Sequence, residues 1–309
     1  MNRKIKLGDD MTLGIPRSLF YYHDGEKWIS FLKNLNVNYI LSEDTNESIM
    51  ALGNKYATDE MCLSFKNYIG HVATLIGKCD AILVPRIDNY GRNDQTCTNF
   101  LLAYDLIRNL FPVHIITYNI NLLNHETEEE AFVSLGNQLG YSKEEAMIAY
   151  HNAITNVTFQ REKRILKNID KLEKDKIKVL LVSHPYNTYD SFIGKPILKI
   201  LKKLNVEVIY SDLFHQDITN QLSKKLSETL YFKYNKDLIG SIALCEAKVD
   251  GILFLSSFPC GMDSIVNELV MRKIKKPYLN LVIDEMDSQV GFETRIESFI
   301  DILERRSKR

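Results

Sequence analysis

Short apolar runs alternate with amphipathic segments along the chain, a pattern typical of strands that are joined by helices. In the first half, the apolar runs predict strands at 12–15, 37–41, 81–84 and 113–117. Helical periodicity predicts helices at 26–35, 46–52, 60–76 and 99–110. Because helices connect the successive strands, we expect a parallel sheet with right-handed crossovers.

The same alternation starts again after a helical and densely charged stretch at 126–173. Strands are predicted at 178–183, 206–210, 251–255 and 278–283. Helices are predicted at 193–203, 221–245, 264–272 and 293–305. Within the charged stretch, Ser142 and Glu145 have the spacing of a capping box, which predicts a helix start there.

Parts of the second half repeat the residues of the first. The sequence LKNLNVNYILS at 32–42 is matched by LKKLNVEVIYS at 201–211, an offset of 169 residues. KCDAIL at 78–83 is matched by KVDGIL at 248–253, an offset of 170, and a proline precedes the fourth predicted strand of each half. Three matches in register favour an internal duplication.

The duplicated pattern predicts an α/β protein with two tandem, doubly wound parallel-sheet domains of the flavodoxin or Rossmann type. We expect an N-terminal α/β domain at 1–141, a helical connection at 142–176 and a C-terminal α/β domain at 177–309. Neither half has the G-x-G-x-x-G or G-x-x-x-x-G-K-[ST] pattern. A dinucleotide or a P-loop nucleotide is therefore not indicated.

Composition narrows the class of protein further. The chain has 309 residues, 45% of them hydrophobic and 26% charged, and a formal net charge of −1. Without a basic excess there is no electrostatic argument for a nucleic-acid or membrane partner. The first ten residues have no apolar segment, and no run approaches the roughly 20 apolar residues of a membrane span. We expect a cytoplasmic protein.

Five cysteines lack any C-x-x-C pair, so a disulfide scaffold or a zinc ribbon is not indicated; they lie at positions 62, 79, 97, 245 and 260. In a parallel α/β sheet, ligands bind at the carboxyl edge of the strands. Cys97 and Cys260 follow the third predicted strand of their halves, and Cys62 opens the helix that leads into a third strand. Cys79 and Cys245 lie at helix ends, on the opposite edge. The alternative is that each cysteine only fills space in a turn or a core.

Four segments carry a resemblance to a known family: DEMCLSFKNYIGH at 59–71, VPR at 84–86, QTC at 95–97 and FPCGMDS at 258–264. They resemble the acyl-CoA dehydratase activase-related family, which is similar to 2-hydroxyacyl-CoA dehydratase subunits and double-cubane cluster reductases. The resemblance extends from about residue 13 to residue 302, and its most specific part is the C-x-x-x-K-x-x-x-G-H block. The residues after Cys97 depart from the prolyl-aromatic context usual in the family.

The resemblance implies a cofactor and its ligands. It implies an iron–sulfur cluster of the [4Fe-4S] type, held by Cys62, Cys97 and Cys260 in the cleft between the domains, with one iron left open. Three thiolates suit such a cluster. At Cys260, between a predicted strand and a predicted helix, the helix dipole also favours a thiolate.

Other polar residues of these segments are candidates for cofactor binding. Lys66, His71 and Arg86 would offset the charge of the cluster or donate hydrogen bonds to its sulfurs. The alternatives are a solvated lysine and a core histidine. Further candidates for ligand binding, or for helix capping alone, are Ser257, Asp263 and Ser264.

A second polar segment, SHPYNTYD at 183–190, ends the first predicted strand of the second half. His184 together with Asp190 suggests a catalytic dyad, although no G-x-S-x-G motif accompanies them. His184 is therefore a weak candidate for a catalytic role. Lys66 of the C-x-x-x-K-x-x-x-G-H block is a second weak candidate.

The predicted function is that of an iron–sulfur protein in low-potential reductive chemistry, such as acyl-CoA dehydration or the reduction of a small molecule. The resemblance implies a separate ATP-dependent activase as electron donor, and it allows a homodimer or a heterodimer. The phosphate loops of true activases are absent, so we expect no ATPase activity. Whether the protein is an enzyme component stays open: the alternatives are a non-catalytic accessory protein and a metal-free bilobal module that binds a small molecule.

Overall fold

The computed structural model describes residues 11–285 and 289–307, and these residues form two compact units. The first unit contains 11–59 and 64–160, and the second contains 60–63 and the described residues from 161 onward. The first ten residues, which bear on the prediction that no targeting segment is present, lie outside the described part. None of the described helices combines the length and the hydropathy of a membrane span.

The first unit is built on a parallel sheet. Its strands are β1 (Thr12–Ile15), β2 (Asn38–Leu41), β3 (Ala81–Leu83), β4 (Arg86–Asn89), β5 (Ile115–Ile116) and β6 (Asn119–Asn121). Its helices are α1 (Tyr21–Asn34), α2 (Glu47–Tyr56), α3 (Leu63–Leu75), α4 (Thr98–Leu110), α5 (Glu128–Gln138) and the first part of α6 (Lys143–Asp170). Four strands form one sheet in the order β2-β1-β3-β5, and β4 pairs with β6 in a separate two-stranded sheet.

The second unit has a parallel sheet of its own. Its strands are β7 (Lys178–Val182), β8 (Glu207–Tyr210), β9 (Gly251–Ser257) and β10 (Tyr278–Ile283). After the end of α6, its helices are α7 (Pro185–Thr188), α8 (Gly194–Lys203), α9 (Gln216–Ser223), α10 (Lys233–Cys245), α11 (Gly261–Met271) and α12 (Gln289–Ser307). The sheet order is β10-β9-β7-β8. The expectation of an α/β protein with parallel sheets is confirmed.

The two four-stranded sheets share strand order and register. In each sheet the first strand along the chain lies between the second and the third, and the fourth lies outside the third. Gly14 pairs with Ile82 across β1 and β3, and Leu180 pairs with Ile252 across β7 and β9. Ile82 and Ile252 occupy equivalent positions of the repeated KCDAIL and KVDGIL segments, and each pairs with the first strand of its sheet.

The repeated LKxLNV sequence forms the same helix end in both units. Asn36 has a left-handed backbone with φ of 55°, and Val37 donates its N–H to the Leu32 carbonyl at 2.9 Å. In the second unit Asn205 has φ of 56°, and the residue after it makes the corresponding bond at 3.0 Å. This is a Schellman motif, in which asparagine tolerates the left-handed conformation better than most residues do.

The aspartate of the matched KCDAIL and KVDGIL segments also has the same position in each unit. The Asp80 carboxylate accepts the N–H of Thr12 at 2.7 Å, at the start of β1. The Asp250 carboxylate accepts the N–H of Lys178 at 2.7 Å, at the start of β7. Each aspartate therefore fixes the beginning of the first strand of its sheet from the loop before the third strand.

The helix predicted at 221–245 is wrong in extent, because the chain forms two helices there, α9 and α10, separated by residues 224–232. A Cβ on Gly240 of α10 would lie 1.9 Å from the carbonyl oxygen of Thr219 of α9, so the two backbones are in direct contact. A Cβ on Gly70 of α3 would similarly lie 2.0 Å from the carbonyl oxygen of Ile49 of α2. Residues 224–232 contain no glycine or proline that would signal a turn. The packing of α10 on α9 therefore decides where the chain reverses.

The small sheet of β4 and β6 was not predicted from the sequence. Its strands are short and polar, and their side chains carry part of the pairing: Asn89 donates to Asn121 Oδ1 at 2.8 Å, and Asn121 donates to Asp88 Oδ2 at 2.8 Å. Because hydrogen bonds between side chains leave no apolar periodicity, pattern analysis does not find such strands.

Candidate functional site

Cys260 lies between β9 and α11, at the carboxyl end of the second sheet. It is the N-cap residue of α11, and its sulfur accepts the backbone N–H of Asp263 at 3.5 Å. The helix therefore begins at Gly261, three residues before the predicted start. Ser264 lies inside the helix and donates its hydroxyl to the Cys260 carbonyl at 2.7 Å, a local bond that stabilises the first turn.

Asp263 is the centre of a buried polar cluster in the second unit. Its Oδ1 accepts hydrogen bonds from His184 Nε2 and from Asn235 Nδ2, both at 2.9 Å. Burial works against ionisation of this carboxyl, but the adjacent His184 and the hydrogen bonds outweigh it and hold the pKa of Asp263 below its usual value. The cluster therefore contains an enclosed carboxylate whose Oδ1 accepts two hydrogen bonds.

His184 pairs with Asp263, so the suggested dyad with Asp190 does not form. Asp190 instead accepts the N–H groups of Phe192 and Ile193, at 2.8 and 3.0 Å, ahead of α8. The His184 ring stacks on Tyr186 with centroids 4.8 Å apart. Its Nδ1 is buried and has no hydrogen-bond partner within the described residues.

Cys62 belongs to the turn at 60–63, which is part of the second unit. The residue that follows, Leu63, donates its N–H to the carbonyl of Phe258 at 2.8 Å. This bond joins the turn that carries Cys62 to the loop that carries Cys260. Residues 60–62 are not helical, so Cys62 directly precedes α3 instead of lying within the helix predicted at 60–76.

Cys97 is the N-cap residue of α4 in the first unit. The preceding residue, Thr96, donates its hydroxyl to the carbonyls of Ile87 and Asp88 at 2.7 and 2.8 Å, which fixes the loop on β4. The three cysteines chosen from the sequence thus share one feature: each is half-buried and directly precedes a helix. Helix dipoles favour negative charge at such positions.

The other two cysteines have a different environment. Cys79 donates its S–H to the carbonyl of Leu75 at 3.3 Å, and burial raises the pKa of its thiol. Cys245 donates to the carbonyl of Ser241 at 3.0 Å, and burial raises its pKa to about 12. Both thiols follow or end a helix and are held protonated, which makes them poor metal ligands.

Within the described residues, no three or more histidine, cysteine, aspartate or glutamate side chains are gathered as a metal site. The donor chemistry of the three helix-start cysteines nevertheless fits an iron–sulfur cluster, which is bound by thiolates. Cys62 and Cys260 both belong to the second unit, and the Leu63–Phe258 hydrogen bond joins the segments that carry them.

His71 is enclosed in the first unit. Ser42 Oγ and Thr45 Oγ1 lie 2.7 and 2.9 Å from its two ring nitrogens. Burial, reinforced by the charge of Arg17 and opposed by that of Asp44, lowers its pKa to about 3. The ring is therefore neutral at physiological pH and joins α3 to the loop after β2.

Lys66 and Arg86 also lie in the first unit. Lys66 is buried in α3, and its carbonyl oxygen would be 2.2 Å from a Cβ on Gly53 of α2. Arg86 forms an ion pair with Asp105 at 2.6 Å and lies over the ring of Tyr104 at 4.8 Å. In the second unit, Ser257 is buried at the end of β9. A role for any of them at a cofactor stays a prediction.

Sequence reasoning did not find Asn235. It lies inside the stretch predicted as one long helix, and no motif surrounds it. Packing of α10 beside α11 brings it to Asp263, 28 residues away along the chain, so the sequence has no local signal for it.

The fold and the cysteine-bearing loops define an α/β protein with two parallel-sheet units and three thiols that directly precede helices. Among known families, the profile described as the CoA enzyme activase uncharacterised domain (DUF2229) matches residues 12–214, about two thirds of the chain. The protein therefore belongs to this CoA enzyme activase family, which confirms the coarser part of the resemblance. No curated protein matches the chain.

Proposed function

We propose that the protein is an iron–sulfur component of a CoA-enzyme system, in which Cys62, Cys97 and Cys260 together hold a [4Fe-4S] cluster. The observation that carries the proposal is the division of the five cysteines. Three precede helices, where a thiolate is favoured, and two are held as thiols by burial and by hydrogen bonds to carbonyls. The family match adds the link to CoA enzymes.

The bound cluster would supply one-electron transfer and, at the iron without a cysteine ligand, a place for a small ligand. The chain would bind it through the three thiolates. Lys66 and Arg86 are the candidate cations that offset its charge, and the hydroxyl of Ser257 is a candidate donor. The Ser264 hydroxyl donates to the Cys260 carbonyl, so its role would be to hold the loop of that ligand. Electrons would come from a separate ATP-dependent activase, and the reaction served would be acyl-CoA dehydration or the reduction of a small molecule.

We also propose that the two units are tandem flavodoxin-like domains produced by duplication, as in dehydratase subunits. Supporting this are the common strand order, the common register and the repeated left-handed asparagine. The proposed arrangement has its first domain at 1–141, a helical connection at 142–176 and a second domain at 177–309.

Iron and sulfide analysis after anaerobic reconstitution tests the cluster. The unaltered protein should bind about four irons per chain. Single alanine variants of Cys62, Cys97 and Cys260 should each lose most of this iron. Cys79→Ser and Cys245→Ser are the matched controls and should keep it, because their sulfurs bond to helix carbonyls. An unaltered protein without iron, or iron loss in the Cys79 control alone, would contradict the proposal.

A metal-free module that binds a small molecule is the second candidate function. The enclosed polar cluster of His184, Asn235 and Asp263, with one unpartnered ring nitrogen, favours it. The iron analysis separates the two functions. If iron is bound, reduction of the cluster by an activase with ATP would then distinguish a redox component from an accessory protein whose cluster is structural.

A further inference from the structure

Asp263 links the Cys260 sulfur to two other elements of the second unit. Its backbone N–H points to the sulfur at 3.5 Å, and its side chain accepts from His184 and from Asn235. His184 lies in the loop after β7, Asn235 in α10 and Asp263 in the first turn of α11. The loop after β7 and helix α10 therefore both contact the first turn of α11, which Cys260 caps.

The burial of these residues makes the arrangement specific. Asp263 is 3% exposed, His184 is 4% exposed and Asn235 is 6% exposed. A buried carboxylate is costly unless donors surround it, and removing one donor leaves the charge uncompensated. Exposed caps at helix starts do not need such enclosure. A cap alone does not account for a carboxylate that is held by two other elements.

The hydrogen bond between His184 and Asp263 identifies His184 as the donor. An ionised carboxylate only accepts, so His184 must carry a proton on Nε2, the nitrogen that faces Asp263. His184 is bonded to the carboxylate and not to the sulfur. Its effect on Cys260 must therefore pass through Asp263, which makes it a positioning residue.

We propose that His184 and Asn235 hold Asp263 so that its backbone N–H remains directed at the Cys260 sulfur, and that the carboxylate charge beside this sulfur sets the reduction potential of a cluster bound there. The second part rests on the proposed function. Hydrogen bonds to a cluster's sulfurs raise its potential, and a nearby negative charge lowers it. The same residue thus supplies a donor from its backbone and an opposing charge from its side chain.

Amide hydrogen exchange of the metal-free protein tests the positioning. In His184→Leu, the amides of residues 258–268 should exchange several-fold faster than in the unaltered protein, because α11 loses an anchor of its first turn. His184→Gln retains a donor at the position of Nε2 and should exchange nearly as slowly as the unaltered protein. His215→Leu, at the start of α9 in the same unit, is the matched control. Unchanged exchange in His184→Leu would overturn the positioning role.

The reduction potential of the reconstituted protein tests the charge. Asp263→Asn keeps the shape and an acceptor oxygen but removes the charge, so the potential should become less negative, while His184→Gln should stay near the unaltered value. A merely structural role would lower the iron content of Asp263→Asn and leave the potential of the loaded molecules unchanged. That result would overturn the proposal for the charge. If the unaltered protein takes up no iron, the proposed function fails together with the potential, whereas the exchange result still decides the positioning.

Discussion

At the scale of single residues, His71 shows how a motif residue can have a structural role. Both ring nitrogens lie within hydrogen-bond distance of hydroxyls, and the side chain is inaccessible to solvent. The neutral ring fits this site. A charged ring would carry a proton on both nitrogens, and burial makes that positive charge costly. The histidine of the C-x-x-x-K-x-x-x-G-H block thus has a structural role, because its contacts with Ser42 and Thr45 join two elements of the first unit.

The lowered pKa of His71 predicts a loss of stability in acid. The folded chain keeps the ring neutral down to about pH 3, whereas the unfolded chain binds a proton near pH 6.5. The contribution of His71 to stability is therefore complete above pH 6.5 and decreases as the pH falls below it, by roughly 5 kcal/mol at most. His71→Gln should remove this dependence between pH 6.5 and 4.

Urea unfolding followed by fluorescence measures this effect in the correct unit. Trp28 is the single tryptophan, and it is buried in the first unit. His151→Gln is the control, because the His151 side chain is 59% exposed. Equal acid sensitivity of the His71 variant and the unaltered protein would contradict the prediction.

Tyr68 presents the opposite case of a buried polar group. Its hydroxyl has no partner within the described residues, and burial raises the pKa of the phenol well above its usual value. Tyr68→Phe should therefore leave the first unit as stable as before or stabilise it by about 1 kcal/mol. Tyr118→Phe is the matched contrast, because the Tyr118 oxygen accepts the Trp28 indole N–H at 2.8 Å.

Urea unfolding should show a loss of about 1–3 kcal/mol for the Tyr118 variant, which leaves the indole N–H without its acceptor. A similar loss in Tyr68→Phe would mean that the Tyr68 hydroxyl is bonded in solution, for example to a ligand.

At the scale of elements, the helix ends at Asn36 and Asn205 follow from their left-handed backbones. Replacement by alanine introduces a side chain that disfavours positive φ, at a cost of about 1 kcal/mol for each variant. Replacement by glycine should be neutral or slightly stabilising at Asn36. At Asn205 it also removes the acceptor of an exposed Lys176 hydrogen bond, which contributes little.

Thermal unfolding of the four variants tests the equivalence of the two helix ends. Similar losses for the two alanine variants are expected, because the same bonds close both motifs. A large loss at one position and none at the other would contradict the structural equivalence of the repeats.

The sequence was informative where apolar periodicity and local capping determine structure. The strands of both main sheets, most helices and the capping box at Ser142 with Glu145 were predicted, and both hydrogen bonds of that box are present. Where the sequence failed, contacts distant along the chain decide. Polar side chains pair β4 with β6, and a close approach at Gly240 packs α10 against α9. The early start of α11 is a local exception, in which the Cys260 sulfur caps the helix.

The candidate site was predictable to a similar degree. The order of strands and helices placed Cys97 and Cys260 after strands and Cys62 at a helix start, because these placements depend on topology alone. The partner of His184 was not predictable, because Asp263 and Asn235 come from segments about 50 to 80 residues away along the chain. Nearness in sequence favoured Asp190, but the loop before α8 uses that carboxylate.

At the scale of the whole molecule, each unit has a parallel sheet of its own, and the buried core cluster of the second unit consists of its own residues. Removing a thiol from the second unit should therefore leave the unfolding of the first unchanged. For Cys260→Ala we expect a Trp28 fluorescence transition at the same urea concentration as in the unaltered metal-free protein. Loss of iron with this transition intact would separate cofactor binding from folding, whereas a shifted midpoint would show that Cys260 contributes to the stability of the first unit.

The enclosure of Cys245 makes it a chemical reporter for the unit that lacks tryptophan. Its sulfur is buried against the core of the second unit and held as a thiol, so an alkylating reagent reaches it only after that core opens. The rate at which Cys245 is labelled in increasing urea, read by mass spectrometry of its peptide, would record the opening of the second unit. Trp28 fluorescence records the first, so the unaltered chain allows the two transitions to be followed side by side in one sample.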